Sequence, residues 1–404
     1  MTRVLQPGIK LEQALAGQIY HALQGDVVRF ILKNAQDTTD DDYWRSRMEG
    51  HCMKVDEKLL GSFYRLCMDV KERLGFNDPV DFYVTGDSTI NAFSIAAEDE
   101  KHPHIVNVNS ELFNLMSEDE LRFVIGHELG HLMNHDTALR RLINFVYPPQ
   151  ATQIPVTLQY KIHLHDNLAE LVADRYGYIA CGNLEACVTA FFKMASGLDL
   201  EKMEVSIEDL LSDNSKHLDY FLKGGGMSHY DHPVNPIRIQ AINLFANAKT
   251  QDELEKAIAE LIQILLKVGN SPLDGPMSTF VATAGIITAK IDGEISKEEY
   301  EHIVQALSGN NIFPKALLDD IYNADVDALF EQSINEILNI NPGLKSNLLE
   351  YIISIVLADR QIGEKEVNFV YGIGQALKLS VKEISIIFAS MIQRNFNPSL
   401  DAIS

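Results

Sequence analysis

Residues Ser117 to Met133 read Ser-Glu-Asp-Glu-Leu-Arg-Phe-Val-Ile-Gly-His-Glu-Leu-Gly-His-Leu-Met, and this stretch decides the fold class. Ser117 and Glu120 have the S-x-x-E form of a capping box, which predicts a helix starting at Glu118. The apolar pattern carries that helix to about Phe145, and Pro148 and Pro149 forbid its continuation. Inside it lies His127-Glu128-Leu129-Gly130-His131, an H-E-x-x-H motif. Residues four apart share one helical face, with Cβ atoms about 5–6 Å apart. Two imidazoles so placed can converge on one ion at about 2.0–2.1 Å from each nitrogen. Glu128 sits beside that face, within reach of a water on the ion.

A catalytic zinc takes three protein ligands and keeps one position open. The best third ligand is Glu170, in Glu170-Leu171-Val172-Ala173-Asp174. A second helix is expected there, from about Asn167 to Ala180, with Asp166 as its cap and Gly182 behind it. Glu170 and Asp174 share a face at i, i+4. One can bind the metal while the other orients a ligand histidine. Leu168, Leu171 and Val172 make this a buried helix, and carboxylates on a buried helix need a partner.

Outward from the two helices, Asp81–Thr85 and His104–Asn109 alternate like short strands. Asn91-Ala92-Phe93-Ser94 reads as a turn-rich segment between them. Helical pieces run to about Val55, broken by the polar stretch Asn34 to Asp42. Another helical pattern runs from Val55 to Leu74 and stops at Gly75. Further helices are expected at Leu184–Ala195 and from Thr250, a second capping-box position with Glu253, to Gly269. Lys223 to Pro236 is a glycine- and proline-rich loop containing His229 and His232.

The chain has 404 residues, more than one core usually serves. The turn chemistry of Asn270 to Pro276 marks the boundary. The expected architecture is α+β and mainly helical, with a metallopeptidase domain over residues 1–270 and an all-helical domain over residues 276–404. The second region holds a weak repeat: Ile291-Asp292-Gly293-Glu294-Ile295 with Glu299 recurs as Ala358-Asp359-Arg360-Gln361-Ile362 with Glu366. Ser296 with Glu299, and Gly363 with Glu366, also read as plain helix starts.

The formal net charge of −23 disfavours nucleic acid and anionic lipid as partners. The cysteines Cys52, Cys67, Cys181 and Cys187 form no C-x-x-C pair and read as buried, reduced thiols. Residues Met1 to Gln13 lack signal-peptide features, and no stretch approaches the roughly 18–20 apolar residues of a membrane span. A cytoplasmic location is the expectation.

The combination of His127-Glu128-Leu129-Gly130-His131 with Glu170-x-x-x-Asp174 resembles the HtpX and type-1 CAAX prenyl protease family, with its Oma-like and BepA-like members. That is the gluzincin arrangement of zincin peptidases. Asn91-Ala92-Phe93 and His232-Pro233 followed by Arg238 are similar to further elements of that family, and the resemblance covers roughly Leu59 to Ala246. It implies a zincin-type fold with a small sheet, one zinc ion per chain held by His127, His131 and Glu170, and endopeptidase activity on unfolded or extended proteins. It implies also that a substrate adds as a strand along His104–Asn109. Many relatives are membrane-embedded, so their substrates do not transfer.

On this reading Glu128 is the general base. Asp174 is an orienting group. His232 either stabilises the transition state or occupies the open metal position as a latent ligand. His163, His165 and His229 are read as surface residues. The C-terminal repeat is similar to TerB-like tellurite-resistance domains, which implies a regulatory or partner-binding region. The competing reading is a non-enzymatic or latent zinc-binding stress-response scaffold that acts through this helical region. Intact Glu128 favours the enzyme, because a structural zinc site has no use for a base. A deformylase-like hydrolase would want a cysteine ligand near the metal helix, and none is present.

Overall fold

The computed structural model describes residues 5–35, 39–97, 102–148, 154, 156–200, 202–224, 226–227, 232–269, 272–289, 324–357 and 363–394. The described chain is mainly helical, with one four-stranded mixed sheet, as expected. It opens with α1 (Lys10–Ala22), α2 (Gly25–Ala35) and α3 (Thr39–His51), so residues 39–42 of the polar stretch are helical. β1 (Met53–Lys54), α4 (Gly61–Leu74) and β2 (Val80–Thr85) follow. Gly75 ends α4 in the left-handed conformation at φ 67°, a position suited to glycine.

Strand β3 (Ala92–Ile95) then pairs antiparallel with β4 (His104–Asn109), from Ala92 opposite Val108 to Ile95 opposite Ile105. The segment read as turn-rich is therefore a strand. It is four residues long, and it becomes a strand through pairing with β4. β2 runs parallel to β4, from Val80 opposite His104 to Thr85 opposite Asn109, and β1 pairs antiparallel with β2. The order is β1-β2-β4-β3. β4 thus has a partner on both sides and offers no free edge, which corrects its reading as the substrate-binding strand. Among the described residues, the open edge on that side belongs to β3.

The sheet is covered on both faces. Phe82, Val106 and Val108 join a buried cluster with Phe63, Leu66 and Val70 of α4 and with Phe123 and Val124 of the next long helix. On the opposite face Tyr83 and Ile105 pack with Met48 of α3. This alternation is what a doubly covered strand requires.

The short helix α5 (Glu111–Leu115) leads into α6 (Glu118–Met133) and α7 (Asp136–Val146). The capping box forms as read: Ser117 N donates to Glu120 Oε2 at 2.7 Å, and Glu120 N donates to Ser117 Oγ at 3.4 Å. The single helix expected to Phe145 is instead broken after Asn134, where His135 takes φ 60°. Asn and His tolerate this conformation better than most residues. No Gly or Pro punctuates the break, so the pattern gives no warning of it.

The next helix, α8 (Val156–Cys181), starts more than two turns earlier than expected. Leu158, Ile162 and Leu164 are buried and extend its apolar face backward. Asp166 does not cap it; its carboxylate meets Arg140 Nη2 at 2.9 Å. Gly182 does close it, at φ 72°, with its N–H donating to Tyr178 O at 2.7 Å. After α9 (Leu184–Ser196) come α10 (Ile207–Gly224), the two-residue strand β5 (Gly226–Met227), α11 (Asn235–Asn247), α12 (Gln251–Lys267) and β6 (Val268–Gly269).

Beyond them lie α13 (Asp274–Ala289), α14 (Val326–Ile340), α15 (Lys345–Val356), α16 (Glu364–Ala376) and α17 (Val381–Arg394). One buried cluster runs from Leu168, Leu171 and Val172 of α8 through Phe280 of α13 to Leu349 and Ile352 of α15. The first copy of the repeat, Ile291 to Glu299, and the second as far as Ile362 lie outside the described residues. In the second copy the Glu366 carboxylate accepts from the N–H of Gly363, as a helix-start reading expects.

Candidate metal centre

Helices α6 and α8 meet at glycine contacts. A Cβ on Gly126 would lie 2.5 Å from Ala180 Cβ and 3.0 Å from Gly177 Cα. On Gly130 it would lie 2.9 Å from Tyr176 Cβ and 3.0 Å from Ala173 Cα. The two glycines are four apart and bracket His127 and Glu128, so the bare α6 face presses directly on the α8 backbone. That close approach brings Glu170 of α8 to the two histidines of α6.

The histidine rings are held from behind by carboxylates. His127 Nδ1 lies 2.9 Å from Asp174 Oδ1, and His131 Nδ1 lies 2.7 Å from Asp136 Oδ2. An ionised carboxylate only accepts, so each Nδ1 carries its proton and donates it. The Nε2 lone pairs then face each other, 3.1 Å apart. Glu170 closes the triangle, its Oε2 3.6 Å from His127 Nε2 and its Oε1 3.5 Å from His131 Nε2. One ligand atom of each residue falls within 4.8 Å of the others.

These residues fit a zinc ion. Two lone pairs pointed at each other need a cation between them. Nitrogens at 2.0–2.1 Å from a tetrahedral ion would sit about 3.3–3.4 Å apart, close to the separation seen. Glu170 Oε2 is buried and makes no hydrogen bond; Arg238 Nη2 approaches it at 3.2 Å without the alignment of one. The electrostatics agree. Burial opposes a charge on His131, but Asp136, Glu170 and Glu128 outweigh it and raise the ring to about 10. The carboxylates around the ring thus favour a cation at this position, a role that a proton or a metal ion on Nε2 can fill.

Arg238 of α11 is the built-in cation of the centre. It donates to Asp174 through Nε at 2.8 Å and through Nη2 at 2.6 Å, and it stacks over Phe191 with its Cζ 4.8 Å from the ring centroid. Burial alone would raise the Asp174 carboxyl, but Arg238 and His127 reverse this and depress it to about 2. Glu170 is likewise held below the usual carboxylate range by Arg238, His131 and His127, against the opposing effect of burial. Glu128 is 7% exposed, beside the histidine pair.

His232, whose side chain remains 55% exposed, reaches the same centre, with Nε2 3.5 Å from Glu170 Oε1. All of His127, Glu128, His131, Glu170, Asp174 and His232 are thus brought to one place. Asp136 was missed. It lies five residues after His131, off the helical face if the helix is assumed to continue, and only the break at His135 turns it back. The sequence points to Arg238 only through the family resemblance; its pairing with Asp174 needs α11 packed on α8. His165, read as a surface residue, is in fact 2% exposed. His229 lies outside the described residues.

The profile of Peptidase family M48 matches residues 64–245. The plastoglobule-localized metallopeptidase 48, chloroplastic, of Arabidopsis thaliana is 25% identical over 220 residues, covering 51% of this chain and 63% of the relative. The protease HtpX homolog of Thermoplasma volcanium is 33% identical over 93 residues, 23% of this chain and 29% of the relative. That of Thermococcus kodakarensis is 37% identical over 82 residues, 20% of this chain and 27% of the relative. The chain thus spans under two thirds of the length of these relatives. No solved structure matches it. Residues 64–245, which carry the whole His127, His131 and Glu170 cluster, are a Peptidase family M48 domain of HtpX-like type.

Proposed function

We propose that the chain is a zinc-dependent metalloendopeptidase that hydrolyses peptide bonds in unfolded or extended proteins. The observation that carries this is the pair of His127 and His131 Nε2 atoms, 3.1 Å apart and facing the buried Glu170 carboxylate. His127, His131 and Glu170 would hold one zinc ion. When bound, zinc supplies Lewis acidity, which acidifies a water and polarises the scissile carbonyl.

The residues divide the remaining work. Asp174 and Asp136 keep the two imidazoles in the Nδ1–H tautomer, so Nε2 is available. Glu128 receives the proton of the attacking water and returns it to the leaving amine nitrogen as the C–N bond breaks. His232, at the rim beside Glu170, either donates to the developing oxyanion or closes the site in a resting form. An extended substrate adds as a strand to the open edge of β3, where main-chain pairing gives weak sequence preference. The helices from α13 onward, which share a buried cluster with α8, form an accessory region beginning near residues 270–276 that presents partners or substrates. Among the described residues no helix is long and apolar enough to cross a membrane.

The test is zinc content and casein hydrolysis by the wild type and by Glu128→Gln. The expected result is about one zinc per chain in both and hydrolysis lost by at least 100-fold in the variant. Equal hydrolysis by both proteins, or no zinc in the wild type after reconstitution, would remove this reading.

A further inference from the structure

Helix α1 lies outside the matched M48 region, yet it is pinned to both metal-bearing helices. Glu12 of α1 is 2% exposed. Its Oε1 accepts from Asn134 Nδ2 at 3.1 Å and lies 3.0 Å from His165 Nε2 of α8. A second anchor is Arg175 of α8, whose Nη1 donates to Pro7 O at 2.8 Å and to Gly8 O at 3.2 Å. Leu15 and Ile19 are fully buried and would hold α1 in place by packing alone. A buried carboxylate is costly unless it is partnered, so Glu12 calls for a separate explanation.

Its partner Asn134 is the residue at which α6 stops. Asn134 N bonds Gly130 O at 2.9 Å, and the next residue, His135, takes φ 60°. That break returns the chain so that Asp136 Oδ2 meets His131 Nδ1 at 2.7 Å, while Asp136 Oδ1 accepts from Thr137 N at 2.9 Å. We infer that Glu12 is a positioning residue of the metal centre: through Asn134 it fixes the α6–α7 break that delivers Asp136 to His131. The inference rests on the metal reading of His127, His131 and Glu170.

The experiment uses the full chain in five forms: wild type, Glu12→Leu, Glu12→Gln, Asn134→Ala and, as control, Lys10→Ala. The control removes the exposed ion pair of α1 with Glu255 of α12, at 2.5 Å, and leaves the break untouched. Zinc affinity is measured by chelator competition, and the visible absorption of the cobalt-loaded proteins reports ligand geometry. Glu12→Leu and Asn134→Ala should each bind zinc at least about tenfold more weakly, the lower end of outer-shell effects, with a changed cobalt spectrum. Glu12→Gln, which keeps an acceptor for Asn134, should recover part of the loss, and Lys10→Ala should match the wild type. If Glu12→Leu does not fold, Asn134→Ala decides the matter. Wild-type affinity and spectrum in Asn134→Ala would overturn the inference alone. A wild type that binds no zinc would overturn the metal reading and this inference with it.

Discussion

Arg238 grips Asp174 through two hydrogen bonds, Nε to Oδ2 at 2.8 Å and Nη2 to Oδ1 at 2.6 Å, while the same Asp174 Oδ1 holds His127 Nδ1 at 2.9 Å. Asp174 is fully buried and Arg238 nearly so. Removing one partner of such a pair strands the other charge in the interior. Arg238→Leu is therefore expected to lower unfolding free energy by about 3–5 kcal/mol, measured by urea titration of the zinc-free protein. A loss under 1 kcal/mol would mean that the pair is solvated.

Asp174→Asn tests the orienting role separately. An amide can still occupy the space, but its oxygen is a weaker acceptor for His127 Nδ1. Zinc affinity is expected to fall about 10–100-fold, read by chelator competition. Unchanged affinity would show that His127 keeps its tautomer without Asp174.

Gly130→Ala places a methyl 3.0 Å from the Ala173 Cα, where only backbone movement can make room. Helices α6 and α8 must separate, carrying Glu170 away from His127 and His131. The expected cost is about 1–3 kcal/mol of stability, accompanied by weaker zinc binding. Full zinc affinity with the stability loss alone would show that the ligand triangle tolerates a wider crossing.

His165 supplies a pH signature for the docking of α1. Burial lowers the affinity of its ring for a proton, but Asp166 and Glu12 more than offset this and raise it to about 9. Glu12 faces it from α1 and Asp166 from α8, the latter also bound to Arg140 of α7. The folded value is above the unfolded one, so the contribution is complete below about pH 6.5 and is lost as pH rises through about 9. The wild type should exceed His165→Gln by up to about 3 kcal/mol at pH 6, and the gap should shrink by pH 10. A gap that does not change with pH would mean that His165 is neutral in the folded protein.

Trp44, the single tryptophan, packs on Phe93 of β3 with ring centroids 5.7 Å apart. A peptide adding to the β3 edge should shift its emission in a saturable way, and Phe93→Ala should abolish the shift. A saturating peptide that leaves Trp44 unchanged would place the substrate elsewhere.

The sequence by itself determined whatever depends on neighbours within a turn or two. The spacing of His127 and His131 follows from 3.6 residues per helical turn, and the Ser117–Glu120 box and the Gly75 and Gly182 stops follow from local backbone chemistry. The candidate residues were legible because H-E-x-x-H and E-x-x-x-D each occupy one helical face. Tertiary structure alone decided the rest. β3 is a strand because β4 lies beside it, and β4 has no free edge because β2 and β3 both flank it. Asp136 reaches His131 because His135 accepts a left-handed turn that no glycine announces. His165 is buried because Glu12, far off in the chain, is packed against it, and Arg238 meets Asp174 only once α11 lies on α8. Local rules act over a few residues of one backbone, whereas these contacts depend on which helices pack together.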